Sequence, residues 1–175
     1  IPFEKWKMDY YDLVKRFLAY GKADWLFMVD SDMTFTPDVV ERLLEYADPD
    51  KAPIVGGLCF GFDADGQVQP TLFGLTEDDQ GVTQVIRYHT WDPDAMFQVA
   101  ATGAACLLIH RTALEKMAGF EHPNRPGKVG FNDAYPWFQE TEFDGRPVGE
   151  DFTFCWRAGL AEIPVFVNTA VRLGH

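Results

Sequence analysis

The sequence predicts an α/β fold in which helices flank a mixed, mostly parallel sheet with a hairpin-rich insertion. Two short apolar runs, at 25–29 and 53–59, are typical of buried strands, and a helical pattern separates them. That order predicts a right-handed crossover between strands that point in the same direction. Turn signals after the second run predict the hairpins.

Four helices are predicted from apolar residues at helical spacing and from residues that begin or end helices. The first helix is expected to end at Gly21, and the second to cover 36–47 with Thr36-Pro37 at its start. The third is expected from Thr112 to Gly119 and the fourth over 150–158. Thr112 and Glu115 form the pattern of a capping box, and Gly159 is the expected terminator of the last helix.

Turn composition predicts the insertion. Asp63 to Gly66 and Asp78 to Gly81 are typical of tight turns, which indicates short strands at 70–75 and 82–88. These strands should form hairpins.

The second half of the chain is predicted to contain two further β-segments and a long loop. The apolar segment 99–110 is interrupted at Thr102-Gly103, and 163–171 is rich in β-forming residues. Between them, 121–146 has no period and is rich in Gly, Pro and aromatic residues. A long loop of this kind is usually a lid or a binding loop.

Length and composition restrict the class of protein. The 175 residues are 47% hydrophobic, which is enough for one domain with a packed core and excludes a disordered segment. A formal net charge of −12 disfavours a nucleic-acid partner, because such surfaces need clustered Lys and Arg. No segment is apolar enough to cross a membrane. The three cysteines lie in apolar stretches without metal-ligand spacing, so we expect reduced, buried thiols in a cytoplasmic protein.

Two carboxylates follow the first predicted strand directly. Asp30-Ser31-Asp32 should lie at the carboxyl end of that strand, which is the edge at which open α/β sheets bind ligands. Two carboxylates one residue apart can share an oxygen-preferring cation with a diphosphate, because the metal offsets the repulsion between the anions. The alternative is a turn whose Asp side chains cap the helix that follows.

A second acidic pair opens the last predicted helix. The helix dipole and the free N–H groups stabilise a carboxylate at this position as the anion, which suits a general base. Glu150 and Asp151 are therefore candidate catalytic residues. The alternative is that both residues only cap the helix.

His175 follows a segment, 171–173, that can pair as a strand and return the imidazole to the metal. A mixed set of imidazole and carboxylate ligands suits Mn²⁺. We therefore expect Asp30, Asp32 and His175 to be the metal ligands, and a frayed chain end is the alternative for His175. The other histidines lack carboxylate partners at ligand spacing and are expected to be packing or surface residues.

Taken in order, these motifs resemble the GT-A glycosyltransferases, whose fold is Rossmann-like. The resemblance rests on the strand leading into Asp30-Ser31-Asp32, the Thr102 to Ala105 bend before a strand and capped helix, Gly149-Glu150-Asp151 with Phe154 to Arg157 behind it, and the Val171 to His175 ending. It covers most of the chain from Ala23 onward. The pattern is similar to inverting, family 2-like enzymes with an Asp-x-Asp motif, the large family that contains cellulose and chitin synthases.

The resemblance implies a nucleotide-diphosphate sugar as donor, with a UDP- or GDP-sugar expected, and an acceptor that offers a hydroxyl. It implies that Asp32 and His175 bind Mn²⁺ or Mg²⁺, with Asp30 near the ribose or the metal. Asp151 would deprotonate the acceptor, and Glu150 would orient the acceptor or support the helix.

The resemblance also assigns further donor-binding residues. Ser31 belongs to the Asp-x-Asp motif, and Thr102 and Gly103 would line the donor-sugar pocket, because a small residue lets the backbone approach the sugar. Trp137 and Phe138, in the long loop, would stack on a sugar ring or close over it, and a buried aromatic anchor is the alternative.

One piece of the related fold is missing from this sequence. Related enzymes begin with a strand and a loop that hold the nucleotide base, whereas here only one helix precedes the strand that ends at Asp30. We therefore predict a single catalytic domain, 1–175, that is incomplete at its N-terminus. A longer chain or a partner chain would supply the missing piece, or donor binding would be impaired.

Two other functions compete with this hypothesis. The segment 30–34 also resembles the Asp-x-Asp-x-Thr motif of haloacid-dehalogenase-like phosphatases, in which Asp30 would be the nucleophile and Asp32 a general acid. Those enzymes need a later Lys and a second acidic pair, whereas Phe152 follows Asp151 here. A non-catalytic nucleotide-sugar binder that keeps the fold is the third hypothesis.

Overall fold

The computed structural model describes residues 10–119, 137–143 and 146–174. The four predicted helices form within this part of the chain, with the bounds α1 (Tyr10–Tyr20), α2 (Val39–Leu44), α3 (Arg111–Ala118) and α4 (Glu150–Leu160). None of these four helices is long and apolar enough to span a bilayer.

Twelve strands lie in the same described ranges. They are β1 (Trp25–Val29), β2 (Ile54–Leu58), β3 (Phe60–Phe62), β4 (Val68–Pro70), β5 (Leu72–Glu77), β6 (Thr83–Arg87), β7 (Met96–Val99), β8 (Ala101–Thr102), β9 (Cys106–His110), β10 (Thr141–Phe143), β11 (Arg146–Val148) and β12 (Val165–Arg172).

Five strands form the central sheet in the order β1-β9-β2-β12-β7. β1, β2 and β12 point in one direction, and β9 and β7 run against them. Because β9 lies between β1 and β2, the only parallel pairing among the described strands of this sheet is β2 with β12. The sheet is therefore of mixed orientation, as expected. Its strand pairings are mostly antiparallel, so the expectation of a mostly parallel sheet is wrong in this respect.

The burial of β9 explains this order. Every residue of β9 is buried, whereas four of the five residues of β1 are only partly buried. A strand that is apolar on both faces is most stable where helices cover both sides of the sheet. β9 therefore takes an interior position, and β1 lies at an edge of the described sheet.

Helices cover both faces of the central sheet, as predicted. α1, α3 and α4 pack on one face through a core cluster that includes Val14, Leu114 and Phe154. α2 packs on the other face through Val39 and Leu43. Neighbouring positions of β2 and β9 alternate between the two clusters, because successive side chains of a strand point to opposite faces. The α/β fold is confirmed.

The hairpin-rich insertion is also confirmed. β3 pairs with β4 across the first predicted turn, and β5 pairs with β6 across the second. In both turns the Asp carboxylate accepts two backbone N–H bonds of 2.8–3.0 Å, at Asp63 and at Asp78. Gly66 and Gly81 adopt φ near +75°, which glycine tolerates without strain.

The starts of two helices differ from the prediction. α2 begins at Val39, because the N–H of Val39 bonds to the carbonyl of Thr36 in a turn that precedes the helix, at 3.1 Å. α3 is capped by His110, whose Nδ1 accepts the N–H of Thr112 at 3.3 Å. The helix therefore starts one residue before the predicted cap.

The end of α4 also differs from the prediction. Gly159 lies inside the helix, and the left-handed residue that follows the helix is Glu162, with φ +56°. The N–H of Ile163 donates to the carbonyl of Ala158 at 2.8 Å, which satisfies one of the free carbonyls at the helix end. The chain then enters β12.

Candidate active site

A cleft of about 360 Å³ lies where the end of β1, the bend between β8 and β9, and the start of α4 meet. Four of the predicted site residues line it: Asp30, Gly103, Glu150 and Asp151. The other lining residues are Tyr10, Met33, Cys59, Phe60, Thr71, Ala104, Ala105, Glu140 and Gly149. Four further predicted residues that the structure describes are not part of the lining, namely Ser31, Asp32, Thr102 and Trp137.

Asp30 follows β1 directly and enters a tight turn. Its N–H donates to the carbonyl of Ala105 at 3.2 Å, and its carbonyl accepts the N–H of Met33 at 3.2 Å. The side chain of Asp30 is half-buried, whereas those of Ser31 and Asp32 are exposed. The motif therefore lies at the carboxyl end of β1, with its first carboxylate in the cleft and its second at the surface.

The C-terminal end of the described chain lies beside this turn. Thr34 and Gly174 form an antiparallel bridge, in which the N–H of Thr34 donates at 2.7 Å and that of Gly174 donates back at 3.1 Å. The hydroxyl of Thr34 donates to the same Gly174 carbonyl at 3.0 Å. The backbone at Gly174 therefore pairs with a residue two positions after Asp32. His175, the predicted third metal ligand, lies outside the described residues.

The bend between β8 and β9 forms another wall of the cleft. Gly103, Ala104 and Ala105 line it, whereas Thr102 is 2% exposed and belongs to the buried interior. A Cβ atom at Gly103 would lie 3.3 Å from Oγ1 of Thr71, which also lines the cleft. A larger residue at Gly103 would therefore crowd this wall.

Both acidic residues at the start of α4 face the cleft. Glu150 and Asp151 are half-buried, and Gly149 before them has an extended backbone and no side chain with which to cap the helix. Oδ1 of Asp151 accepts the N–H of Phe152 at 2.9 Å. Asp151 therefore accepts a backbone N–H at the start of the helix, as expected of a capping residue, and it also lines the cleft.

Tyr10 lines the cleft and was not predicted from the sequence. Its hydroxyl donates to Oδ1 of Asp30 at 2.5 Å. Burial, this hydrogen bond and the nearby carboxylates of Asp30, Glu150 and Asp151 raise the pKa of Tyr10 well above its ordinary value. The only signal in the sequence was its place at the start of an amphipathic helix, which carries no information about a contact with Asp30. Glu140 is a second lining residue that the sequence did not reveal.

Trp137 is part of the core. It is 6% exposed, its indole N–H donates to the carbonyl of Leu114 at 2.9 Å, and its ring lies 5.6 Å from that of Tyr11. A side chain in this position has no face available to a sugar in the cleft. The structure thus favours the alternative of a buried aromatic anchor over a stacking or lid role for Trp137.

Carboxylates are the predicted metal-ligating groups that the structure describes near this cleft. Within residues 10–119, 137–143 and 146–174, no three His, Cys, Asp or Glu side chains are grouped so as to hold a metal ion. Of the three predicted ligands, Asp30 and Asp32 are described, and they are the first and third residues of one turn.

The three cysteines are free and buried, as expected. Burial raises the pKa of Cys59 and Cys155 to about 12 and that of Cys106 to about 11. Cys59 lines the cleft but is 1% exposed and points its thiol toward the carbonyl of Gly57, at 3.5 Å. These thiols are protonated packing groups at neutral pH.

Two solved structures are similar to this chain. GalNAc-T7 with UDP, GalNAc and Mn²⁺ has a similar fold, with a TM-score of 0.50 and 13% identity over 87% of this chain, and A197 from STIV has a TM-score of 0.48 and 13% identity over 93%. The chain spans 27% of the GalNAc-T7 chain and 62% of the A197 chain. No curated protein matches it.

The family "Glycosyl transferase family 2" matches residues 10–117, and together with the GalNAc-T7 likeness this confirms the GT-A fold. Because the family match covers more than half of the chain, the chain belongs to glycosyl transferase family 2.

Proposed function

We propose that this chain is the catalytic domain of a metal-dependent glycosyltransferase. It would move a sugar from a nucleotide-diphosphate sugar to an acceptor hydroxyl with inversion at the anomeric carbon. The observation that carries the proposal is the shared cleft, because Asp30 at the end of β1 and the Glu150-Asp151 pair at the start of α4 line the same cavity. Membership of a transferase family supports this reaction over the haloacid-dehalogenase-like phosphatase.

The proposed donor is a UDP- or GDP-sugar. The GalNAc-T7 structure of similar fold contains UDP, GalNAc and Mn²⁺, so UDP-sugars with Mn²⁺ are the first donors to test. Gly103 suits a donor-sugar pocket, because its lack of a side chain allows the backbone to approach the ring. Ser31 and Thr102 remain proposed donor-binding residues through their backbones, since Ser31 belongs to the Asp-x-Asp turn and Thr102 precedes Gly103.

Asp30 and Asp32 would hold Mn²⁺ or Mg²⁺, with His175 as the third proposed ligand. The donor set fits such an ion, since Mg²⁺ sites commonly use one or two carboxylates together with substrate phosphates. The bridge between Thr34 and Gly174 supports the inclusion of His175, because it joins the preceding residue to the same turn. When bound, the metal would offset the negative charge that develops on the departing diphosphate.

Asp151 is the proposed general base. Its carboxylate would accept the proton of the acceptor hydroxyl while that oxygen bonds to the anomeric carbon and the bond from this carbon to the diphosphate oxygen breaks. Oδ1 of Asp151 accepts the N–H of Phe152 at 2.9 Å, which orients the carboxylate at the start of α4. Glu150 lines the same cleft and would orient the acceptor.

We further propose that 1–175 form a single domain of a cytoplasmic protein. Limited proteolysis would test the first point, because a single domain should release no stable fragment that lacks part of the central sheet. Cell fractionation would test the second.

Two substitutions test the chemistry. Asp32→Ala should abolish metal-dependent binding of UDP- and GDP-sugars, measured by calorimetry with and without Mn²⁺. Asp151→Asn should keep donor binding and lower the rate of sugar transfer about 10²- to 10⁴-fold, because it removes the proton acceptor and little else. Nucleotide release reports the transfer.

Asp79→Asn is the matched control for both variants. Asp79 is an exposed carboxylate in a hairpin turn and is not part of the cleft, so its variant should behave as the wild type. Undiminished turnover by Asp151→Asn would remove Asp151 from the role of base. Release of inorganic phosphate by the wild type would indicate the phosphatase instead, and donor binding without nucleotide release would indicate a non-catalytic binder.

A further inference from the structure

We infer that Tyr10 is a positioning residue that orients Asp30 and connects it to the helix that carries Asp151. This inference rests on the proposed function, because it concerns how the two sides of that site are held relative to one another. Tyr10 begins α1 and lines the cleft. It belongs neither to the Asp-x-Asp turn nor to the acidic pair, so neither motif points to it.

The hydroxyl of Tyr10 restrains the Asp30 side chain. It donates to Oδ1 at 2.5 Å, and both side chains are half-buried. A hydrogen bond to a carboxylate is charge-assisted and stronger than one between neutral groups. The backbone of Asp30 is also hydrogen-bonded to Ala105 and Met33, so hydrogen bonds restrain both the backbone and the side chain of this residue. One lone pair of Oδ1 thereby accepts the Tyr10 hydroxyl, which leaves Oδ2 as the less encumbered oxygen for a ligand.

The ring of Tyr10 extends this contact to α4. Its centroid lies 5.0 Å from the ring of Phe138, which in turn stacks on Phe154 at 4.2 Å with an interplanar angle of 2°. Phe154 is fully buried in α4, three residues after Asp151. A continuous set of packed groups therefore runs from Asp30 to the helix of the proposed base. Since interiors are closely packed, this set fixes the spacing between the two carboxylates.

The two parts of the Tyr10 side chain should have separable effects. Loss of the hydroxyl frees the Asp30 carboxylate and should weaken donor binding, while the packing against α4 is kept. Loss of the ring as well should also misplace α4, and small misplacements of reacting groups reduce the rate of the chemical step.

The experiment compares Tyr10→Phe and Tyr10→Leu with the wild type. Calorimetry with UDP and Mn²⁺ should show about ten- to hundredfold weaker binding for Tyr10→Phe, which is the usual order of magnitude for one hydrogen bond to a charged group. Its kcat for transfer should stay within about twofold of the wild type, whereas Tyr10→Leu should also lower kcat by about tenfold. Tyr20→Phe, at an 84% exposed position of the same helix, is the matched control.

A second measurement does not depend on activity. In urea unfolding, the effects of Tyr10→Phe and Asp30→Ala should be non-additive, because each variant removes the same hydrogen bond. Additive effects would overturn the inference, as would UDP–Mn²⁺ binding by Tyr10→Phe equal to that of the wild type, or an equal loss in Tyr20→Phe. A wild type that binds neither UDP nor GDP with Mn²⁺ would overturn the proposed function and this inference together, so the two failures are distinguishable.

Discussion

Arg111→Ala is expected to destabilise the protein, because one guanidinium group closes the end of α1. It donates to the carbonyls of Phe17 and Leu18 at 3.3 Å, of Gly21 at 2.8 Å and of Ala23 at 3.1 Å. The last carbonyls of a helix lack partners within the helix, and the bond to Leu18 satisfies one of them. The carbonyl of Phe17 also accepts the N–H of Gly21 at 2.8 Å, and Gly21 and Ala23 belong to the segment that follows α1. These bonds from Arg111 also join α1, which carries the cleft residue Tyr10, to the start of α3.

The expected loss of stability follows from the number of these hydrogen bonds and from the exposure of the Arg111 side chain. A hydrogen bond from a charged donor contributes about 1.5–3 kcal/mol when buried, but here one cation serves four carbonyls and its side chain is 20% exposed. The guanidinium also lies 4.5 Å from the ring centroid of Phe17, a cation–π contact that contributes about 0.5–1 kcal/mol. The ion pair with Glu115, at 4.0 Å, adds at most about 0.5 kcal/mol. We expect a total loss of about 3 kcal/mol, or about 6–12 °C in Tm for a chain of this size.

Urea unfolding followed by far-UV circular dichroism would measure this loss. Arg111→Lys should lose about half as much, since an ammonium group keeps the charge near the helix end but reaches fewer carbonyls. Arg16→Ala removes an exposed arginine from α1 and serves as the control. If Arg111→Ala stayed within about 0.5 kcal/mol of the wild type, these bonds would contribute no more than solvation by water, and the reasoning would be refuted.

Three other predictions concern the core and pH. Gly57→Ala should lower the free energy of unfolding by about 1–3 kcal/mol, because the added Cβ would lie 2.6 Å from Cδ1 of Leu173. The same variant should weaken Mn²⁺ affinity in calorimetry, because Leu173 precedes Gly174, the residue bridged to Thr34. Gly61→Ala is its matched control, since the nearest atom would be 3.7 Å away, and an equal loss in both variants would contradict the steric explanation. The three buried thiols should resist iodoacetamide at pH 8.5 in the folded protein and react in urea, as mass spectrometry would show, because burial holds their pKa at about 11–12. Since the unfolded chain releases these protons near pH 9 and the folded chain keeps them, the free energy of unfolding should fall as the pH rises above about 9; an increase in that range would contradict the assignment.

Local features of this protein could be predicted because they depend on residues close together in the chain. The Asp63 and Asp78 turns follow from side chains that bond to N–H groups two and four residues later, and from a glycine that accepts positive φ. The place of Asp30 at the end of a strand, and of Asp151 at the start of a helix, follows from apolar runs beside them. The family resemblance was likewise carried by short motifs in a given order.

Features that depend on distant contacts could not be predicted. The insertion of β9 between β1 and β2, the burial of Trp137 and the hydrogen bond from Tyr10 to Asp30 each join residues far apart in the chain. The sequence by itself determined the four helices, the strand that precedes Asp30 and the helix that Glu150 and Asp151 begin, whereas β10 lies in a segment predicted to be a loop. Only the tertiary structure decided which strands are neighbours and which of those residues share a cleft, because these depend on how apolar faces from distant segments pack together, and a local pattern of residues contains no record of its distant partners.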